Sequence, residues 1–328
     1  MTTIDTVGRV LLLAAVEVSL SFDNAVVNAT VLRRLNAFWQ RLFLTVGVLI
    51  AVVGMRLLFP LLVVAFSARL SPAAALHLAA ADPPAYDLRL AAARPEISAF
   101  GGAFLLMVFL DFLLAERDLT WLRPLERLSA RVARLDRLAP VIALGALLAA
   151  ATIGQHPENQ VNAVLAAGLL GVIANLLISG LSGLSEHEDA EDDGDDAGTG
   201  ARPLLRGRDA FFAFCFLELM DASFSFDGVI GAFAFTSNLF VIAIGLGIGA
   251  LAVRSLTVRL VRRGTLADFV YLEHGAHYAI GLLGALLLAT AYRSLPELLT
   301  GLLGIGVIGA SLASSVVRNR RAAGSAAV

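Results

Sequence analysis

The chain has 328 residues, of which 58% are apolar and 16% charged, and its formal net charge is −2. Soluble domains are about 45–50% apolar and about 25% charged, so this composition excludes an ordinary soluble enzyme and a disordered chain and indicates a polytopic membrane protein. The near-neutral charge gives no reason to expect nucleic acid as a partner, and the single Cys215 allows neither an internal disulfide nor a cysteine-based metal site.

The sequence predicts an all-α bundle of about nine transmembrane spans, because a membrane-crossing helix needs about 20 mostly apolar residues. The predicted spans cover residues 8–31, 42–66, 98–115, 138–153, 161–184, 210–234, 239–261, 269–291 and 296–317. Arginine is concentrated in the connections that nine spans would place on one side of the membrane. By the positive-inside rule, we expect a multi-pass protein of the cytoplasmic membrane with an external N-terminus and a cytoplasmic C-terminus.

The spans and their connections divide the chain into five predicted segments. They are a first three-span repeat with an external loop at 67–97, an amphipathic cytoplasmic helix followed by two spans, an acidic linker, a second, inverted repeat, and a last span with a cytoplasmic tail. The segments cover residues 1–115, 116–184, 185–209, 210–292 and 293–328, respectively. The acidic run at 186–196 is more typical of a solvated linker than of a collector of cations.

The inverted repeat rests on two motifs. Residues 17–24 read EVSLSFDN and residues 221–228 read DASFSFDG, so that acid, serine, phenylalanine and aspartate recur in register. Further along, glycine and arginine recur at the same separation, at 47 and 56 and again at 245 and 254. An odd number of predicted crossings separates the copies, so they would cross the membrane in opposite directions. Transporters built from such repeats hold their substrate near the midplane, between the repeats.

Acidic residues inside the predicted spans are the main functional signal. A charged side chain at the bilayer centre costs roughly 2.5–3.5 kcal/mol on insertion scales, so these groups should face the bundle interior and pair with arginine, a cation, a proton or one another. Hydroxyl and amide side chains share helical faces with them. The candidate metal ligands are Glu17, Ser21, Asp23, Asn24, Asn28, Glu218, Asp221, Ser225, Asp227, His274 and His277.

Some of these residues have alternative roles. His274 and His277 either form hydrogen bonds between helices or take part in ligation or proton relay. Arg56 and Arg254 are expected to be counter-charges to the acids rather than substrate ligands.

Glu17 and Asp23 would point about 120° apart on a regular helix. They converge on one ion only if the helix unwinds, and Asp-Asn and Asp-Gly favour such breaks. The sequence therefore predicts breaks at 21–24 and 225–228.

Carboxylate, amide and hydroxyl oxygens without thiolates suit hard divalent ions such as Mn²⁺, Mg²⁺ or Ca²⁺. The leading interpretation is a membrane transporter of such a cation, which would be its substrate, with no catalytic residues and no resident cofactor. Two alternatives stay open: a proton-coupled exporter of a small organic solute, and a membrane scaffold without transport. The expected partners are the lipid bilayer and the metal ion, and the sequence does not indicate an oligomeric state.

The two motifs resemble those of the TerC family of integral membrane proteins, within the LysE-type transporter superfamily. The first TerC motif has Glu and then Asp-Asn six residues later, which matches Glu17, Asp23 and Asn24. The second has two Asp at the same separation, which matches Asp221 and Asp227. The resemblance implies export of a divalent metal, chiefly manganese, by a family whose name comes from tellurium resistance.

Overall fold

The computed structural model of the chain is a bundle of helices, and no strand occurs among the residues it describes. The described residues are 3–115, 119–124, 126, 138–153, 158–192, 204–233, 235–236, 238–262, 269–290 and 297–326. Most of the predicted amphipathic helix at 116–137 lies outside them, as do residues 193–203 of the predicted linker.

The helices agree with the predicted spans to within several residues, except that two of those spans consist of more than one helical element. The helices are α1 (Thr3–Leu20), α2 (Phe22–Leu32), α3 (Ala37–Leu49), a π-helical segment (Ile50–Leu58), α4 (Phe59–Ser67), α5 (Pro72–Ala81), α6 (Pro83–Ala92), α7 (Arg94–Leu114), α8 (Leu138–Ile153), α9 (Glu158–Asp192), α10 (Gly207–Ala232), α11 (Leu239–Arg262), α12 (Leu272–Thr290) and α13 (Glu297–Ala326). The external loop predicted at 67–97 contains the short helices α5 and α6, and α9 ends inside the acidic run.

The chain is a multi-pass membrane protein with six or seven candidate spans among the described residues. Six helical stretches are long and apolar enough to cross a bilayer, and the bent pair α1–α2 makes a seventh if it is one span. By length and composition, the described residues thus support six or seven of the nine expected spans. Helix α8 is apolar but has only 16 residues. Helix α10 has 26 residues, but its apolar sequence contains the acids Glu218, Asp221 and Asp227.

The first predicted helix break is confirmed and the second is wrong. Helices α1 and α2 meet at an angle of 57°, and Ser21 between them has φ −103° and ψ 14°. Helix α10 runs without interruption through 225–228. A break in an apolar interior leaves backbone amides without partners, and this cost outweighs the local turn preference of Asp-Gly in α10. At Ser21 the ladder is largely kept, because Ser21 N–H donates to the Glu17 carbonyl at 2.9 Å and Ala25 N–H donates to the Ser21 carbonyl at 3.2 Å.

The packing brings both halves of the chain into one bundle. Helix α1 packs on α11, α2 packs on α11 and α12, and the π-helical segment packs on α10 and α11. Helix α12 is in turn held between α7 and α13. The elements that carry the two acidic motifs therefore lie next to the arginine-bearing elements.

Glycines allow α7 and α12 to cross closely. A Cβ atom at Gly102 would lie 2.9 Å from the Leu288 amide nitrogen, and one at Gly284 would lie 2.8 Å from the Leu106 amide nitrogen. Small residues at such crossings let the backbones approach closely, which favours van der Waals packing between helices in lipid.

We expect Gly284→Val to destabilise the protein, because overpacking of this kind costs about 1–3 kcal/mol. Gly145→Val on α8 is the matched control, since a Cβ atom there meets nothing within 4 Å. Thermal unfolding of the two variants in detergent should give a lower transition temperature for Gly284→Val alone. Equal losses would mean that valine itself, not the crossing, is responsible.

Candidate cation site

A small cavity lies at the break between α1 and α2, where this pair meets α10, α12 and α13. Its volume is about 60 Å³. The lining residues are Glu17, Leu20, Ser21, Asp23, Asn24, Ser223, Phe224, Gly228, Leu283, Leu287 and Gly301. Polar groups of both acidic motifs therefore share one cavity.

Glu17, at one wall of the cavity, is paired with an arginine. The Arg56 Nη2 donates to Glu17 Oε1, and the Arg56 Nη1 donates to the Ala51 carbonyl at 2.9 Å. Ser21 Oγ also donates to Glu17 Oε1, at 3.1 Å. Glu17 and Arg56 are 5% and 2% exposed, so two buried charges neutralise each other.

A second buried arginine, Arg254, forms ion pairs with two carboxylates. Arg254 donates to both carboxylate oxygens of Glu218, at 2.8 and 2.9 Å, and to Asp221 Oδ2 at 2.8 Å. It also donates to the Phe43 carbonyl at 3.1 Å and lies over the Phe43 ring, 4.3 Å from its centroid. One positive charge here faces two negative ones. The expectation that Arg56 and Arg254 act as counter-charges is thus met.

Glycines make room for both ion pairs. A Cβ atom at Gly47 of α3 would collide with the Arg254 guanidinium and the Glu218 carboxylate, and one at Gly249 of α11 would lie 2.6 Å from Glu17 Cγ. The presence of glycine at position 47, which belongs to the sequence repeat, therefore has a steric explanation. A larger residue would push the charged groups apart.

Asp23 differs from the other described acids of the two motifs. It lies just after the helix break, is 7% exposed, and accepts a hydrogen bond from the Asn24 amide at 3.0 Å. Its Oδ2 packs against Gly304 of α13, where a Cβ atom would overlap it. Within the described part of the chain, Asp23 forms no ion pair. It is thus a buried carboxylate at a cavity wall without a described counter-charge.

Among the remaining predicted ligands, none whose side chain the structure describes lines this cavity. Asn28 and Ser225 are buried, and neither Asn28 Oδ1 nor Ser225 Oγ has a hydrogen-bond partner among the described residues. Glu218 and Asp221 surround Arg254. Asp227 lies within α10, but its side chain lies outside the described residues.

The two histidines lie in an aromatic cluster on α12. His274 Nε2 is 2.9 Å from the Leu119 carbonyl oxygen, and the His274 ring meets the Phe112 ring edge-on. The His277 ring stacks on Phe112 at 3.8 Å, and His277 Nδ1 is 2.7 Å from the carbonyl oxygen of Glu273. The structure therefore does not bring the two histidines to Glu17 and Asp23 at the cavity. Among the described residues, no three His, Cys, Asp or Glu side chains are grouped to hold a metal ion.

The sequence did not point to α13 or to Ser223 as parts of the site. Gly301 lines the cavity and Gly304 touches Asp23, yet glycines in an apolar helix carry no chemical signal. Ser223 does have a signal, because it corresponds to Ser19 in the register of the two motifs. Only the packing shows that Ser223, and not Ser225, reaches the cavity.

A comparison with protein families shows to which family the chain belongs. The family DUF475, described as a protein of unknown function, matches residues 22–322. The chain belongs to the DUF475 family. No curated protein and no solved structure is significantly similar to it.

The expected relationship to the TerC family is therefore wrong. The resemblance rested on two short acidic motifs, whereas the DUF475 match extends over most of the chain. Carboxylates six residues apart in an apolar helix can arise wherever a bundle buries acids for its own charge balance. The manganese specificity that the TerC resemblance implied has no support in the DUF475 assignment.

The Glu17–Arg56 pair of this DUF475 protein offers a test of its energetic role. Arg56→Met leaves Glu17 without its counter-charge, and Glu17→Gln does the same to Arg56. We expect each to lower the free energy of unfolding by about 3–5 kcal/mol, as is usual when one partner of a buried pair is removed.

The double variant should lose less than the sum of the two single losses, because it leaves neither charge unpaired. Unfolding of all four proteins in the same detergent gives the coupling energy directly. Strictly additive losses would show that the two side chains act independently.

Proposed function

We propose that this DUF475 protein transports a small inorganic cation across the membrane and binds it in the cavity at the α1–α2 break. The observation that carries the proposal is Asp23, a buried carboxylate at the cavity wall with no ion pair in the described part of the chain. Removing an ion from water without a partner costs several kcal/mol. An ionised Asp23 therefore calls for a cation beside it.

The ligand chemistry favours a hard divalent ion. The cavity offers carboxylate oxygens from Glu17 and Asp23, the Asn24 amide, and hydroxyls from Ser21 and Ser223. Oxygen ligands of this kind suit Mg²⁺, Ca²⁺ or Mn²⁺ rather than Zn²⁺ or Cu⁺.

The formal charge near the middle of the predicted spans also favours a cation. The first and sixth predicted spans carry five central acids, which are Glu17, Asp23, Glu218, Asp221 and Asp227, and the spans that follow them carry two arginines, Arg56 and Arg254. Three formal negative charges are left over. A divalent cation offsets two of them.

The size of the cavity argues against an organic substrate in this conformation. A buried water needs about 10–15 Å³ of such volume, so about 60 Å³ holds an ion with a few waters. Pockets for small organic molecules are typically about 300–1,000 Å³. Binding of a small organic solute in this cavity is thus less well supported than binding of a cation.

The proposal includes an inverted repeat with alternating access. Glu17 and Asp221 occupy the same place in the two motifs, Arg56 and Arg254 the same place downstream, and the same pair forms in each copy. This supports two related units over 1–115 and 210–292, rocking about the cavity between them. In this arrangement α8 and α10 also cross the membrane, which gives nine spans and a cytoplasmic C-terminus.

Asp23→Asn should abolish most of the transport by the full chain in liposomes that contain a divalent-ion indicator. We expect the initial rate to fall by about tenfold or more, because the amide keeps the shape but not the charge of a direct ligand. Asp111→Asn is the control, since Asp111 is an exposed acid on α7 outside the cavity.

Mn²⁺, Mg²⁺ and Ca²⁺ are each supplied in the same assay. The proposal fails if wild type moves none of them faster than empty liposomes, or if Asp23→Asn matches wild type.

Gly304→Ala should weaken cation binding without removing any ligand. The added methyl group would displace the Asp23 carboxylate, whereas Gly306→Ala on the same helix meets nothing within 4 Å. Half-saturating cation concentrations for transport should rise severalfold in Gly304→Ala and stay at the wild-type value in Gly306→Ala. A rise of the same size in both variants would assign the effect to α13 as a whole.

A further inference from the structure

A second cleft, with a volume of about 460 Å³, opens near the C-terminal end of α13, where this helix packs against the start of α12. It is lined by Tyr271, Ala313, Ser314, Val317, Arg318 and Arg321. None of the described residues that line it belongs to the cation cavity. The proposed transport function makes no use of it.

The walls of this cleft are fixed by contacts within the protein. The Tyr271 amide donates to Ser315 Oγ at 2.9 Å, which ties the start of α12 to α13. The Arg318 guanidinium carbon lies 5.3 Å from the centroid of the Tyr271 ring, and the Trp121 ring stacks on Tyr271 with the two centroids 6.5 Å apart. A ligand would therefore enter a largely preformed site and would need little ordering of side chains.

The cleft lies at the level where lipid headgroups are expected. Arg318 and Arg321 are at the end of the candidate span Gly301–Arg321, and Tyr271 directly precedes the candidate span Leu272–Thr290. Tyrosine and tryptophan are enriched at this boundary between hydrocarbon and water.

The charge of the cleft is positive. Two of its lining residues are arginines, and none of the described lining residues is acidic. Within the described part of the chain, neither Arg318 nor Arg321 forms an ion pair. Guanidinium groups bind phosphate oxygens through paired hydrogen bonds. Ala313 and Val317 add an apolar wall beside them.

We propose that this cleft binds the headgroup of an anionic phospholipid. Its phosphate would lie between Arg318 and Arg321, and its glycerol backbone and upper acyl chain would lie along Val317. Basic pockets between spans at the membrane surface bind anionic headgroups in this manner. A zwitterionic lipid places a second positive charge near the arginines and is disfavoured.

The two tryptophans of the chain give a direct readout. In a Trp39→Phe background Trp121 is the sole tryptophan, so it can be excited selectively at the red edge of absorption, and it stacks on Tyr271 at the cleft. Phosphatidylglycerol brominated near the glycerol should quench Trp121 in vesicles more strongly than equally brominated phosphatidylcholine. Arg318→Gln with Arg321→Gln should reduce this preference by about fivefold for each arginine.

Arg320→Gln is the matched control, because it removes the same charge from the same helix and Arg320 does not line the cleft. Val317→Phe fills the apolar wall without changing charge and should also lower quenching by phosphatidylglycerol. Gel filtration of each variant tests whether it keeps the size of the wild-type protein.

Three results would overturn the proposal. They are equal quenching by the two lipids in wild type, an effect of Arg320→Gln as large as that of the double variant, and unchanged quenching in both the double variant and Val317→Phe. The second result would indicate attraction of acidic lipids or acidic soluble partners by surface charge in general. Cation transport is not measured in these experiments, so a negative result here does not bear on the proposed cation site.

Discussion

The burial of two arginines in an apolar bundle is the constraint on which the rest of the site depends. Arg56 and Arg254 are each 2% exposed, and guanidinium groups in proteins carry a positive charge. Each therefore needs a carboxylate at hydrogen-bond distance, and the elements that supply the carboxylates must pack against the arginine-bearing elements. Gly47 and Gly249 provide the space in which these charged groups meet. Helix packing, glycine placement and acid placement thus follow from one electrostatic requirement.

The two acidic motifs pair with their arginines differently. In the first half, one arginine meets one glutamate, and the helix then breaks so that Asp23 enters a cavity. In the second half, Arg254 binds both Glu218 and Asp221, and the helix continues without a break. Among the acids of the two motifs whose side chains are described, this difference leaves Asp23 without an arginine partner. Under the proposed function, this difference in charge balance is what leaves Asp23 available to a cation.

Particular residues show how far sequence reasoning reaches. The roles of Arg56 and Arg254 followed from the cost of charge in lipid, which is independent of fold. The break near Ser21 was predicted correctly from local turn preference, but the same argument failed at 225–228. There the continuous hydrogen-bond ladder of α10 outweighs the preference of one dipeptide. The TerC resemblance failed for a related reason: two short motifs describe a local chemical pattern, and family membership is a property of the whole chain.

The sequence by itself determined that this protein is a multi-pass helical membrane protein with acids and arginines that must pair inside it. Composition and the energetics of charge in lipid suffice for that conclusion, since they do not depend on which helices are neighbours. Only the tertiary structure decided which acids pair with which arginine, that Asp23 lines a cavity beside α13, and that His274 and His277 lie elsewhere. Those outcomes depend on contacts between helices far apart in the chain, and the 57° bend at Ser21 sets the direction of α2, the helix that carries Asp23.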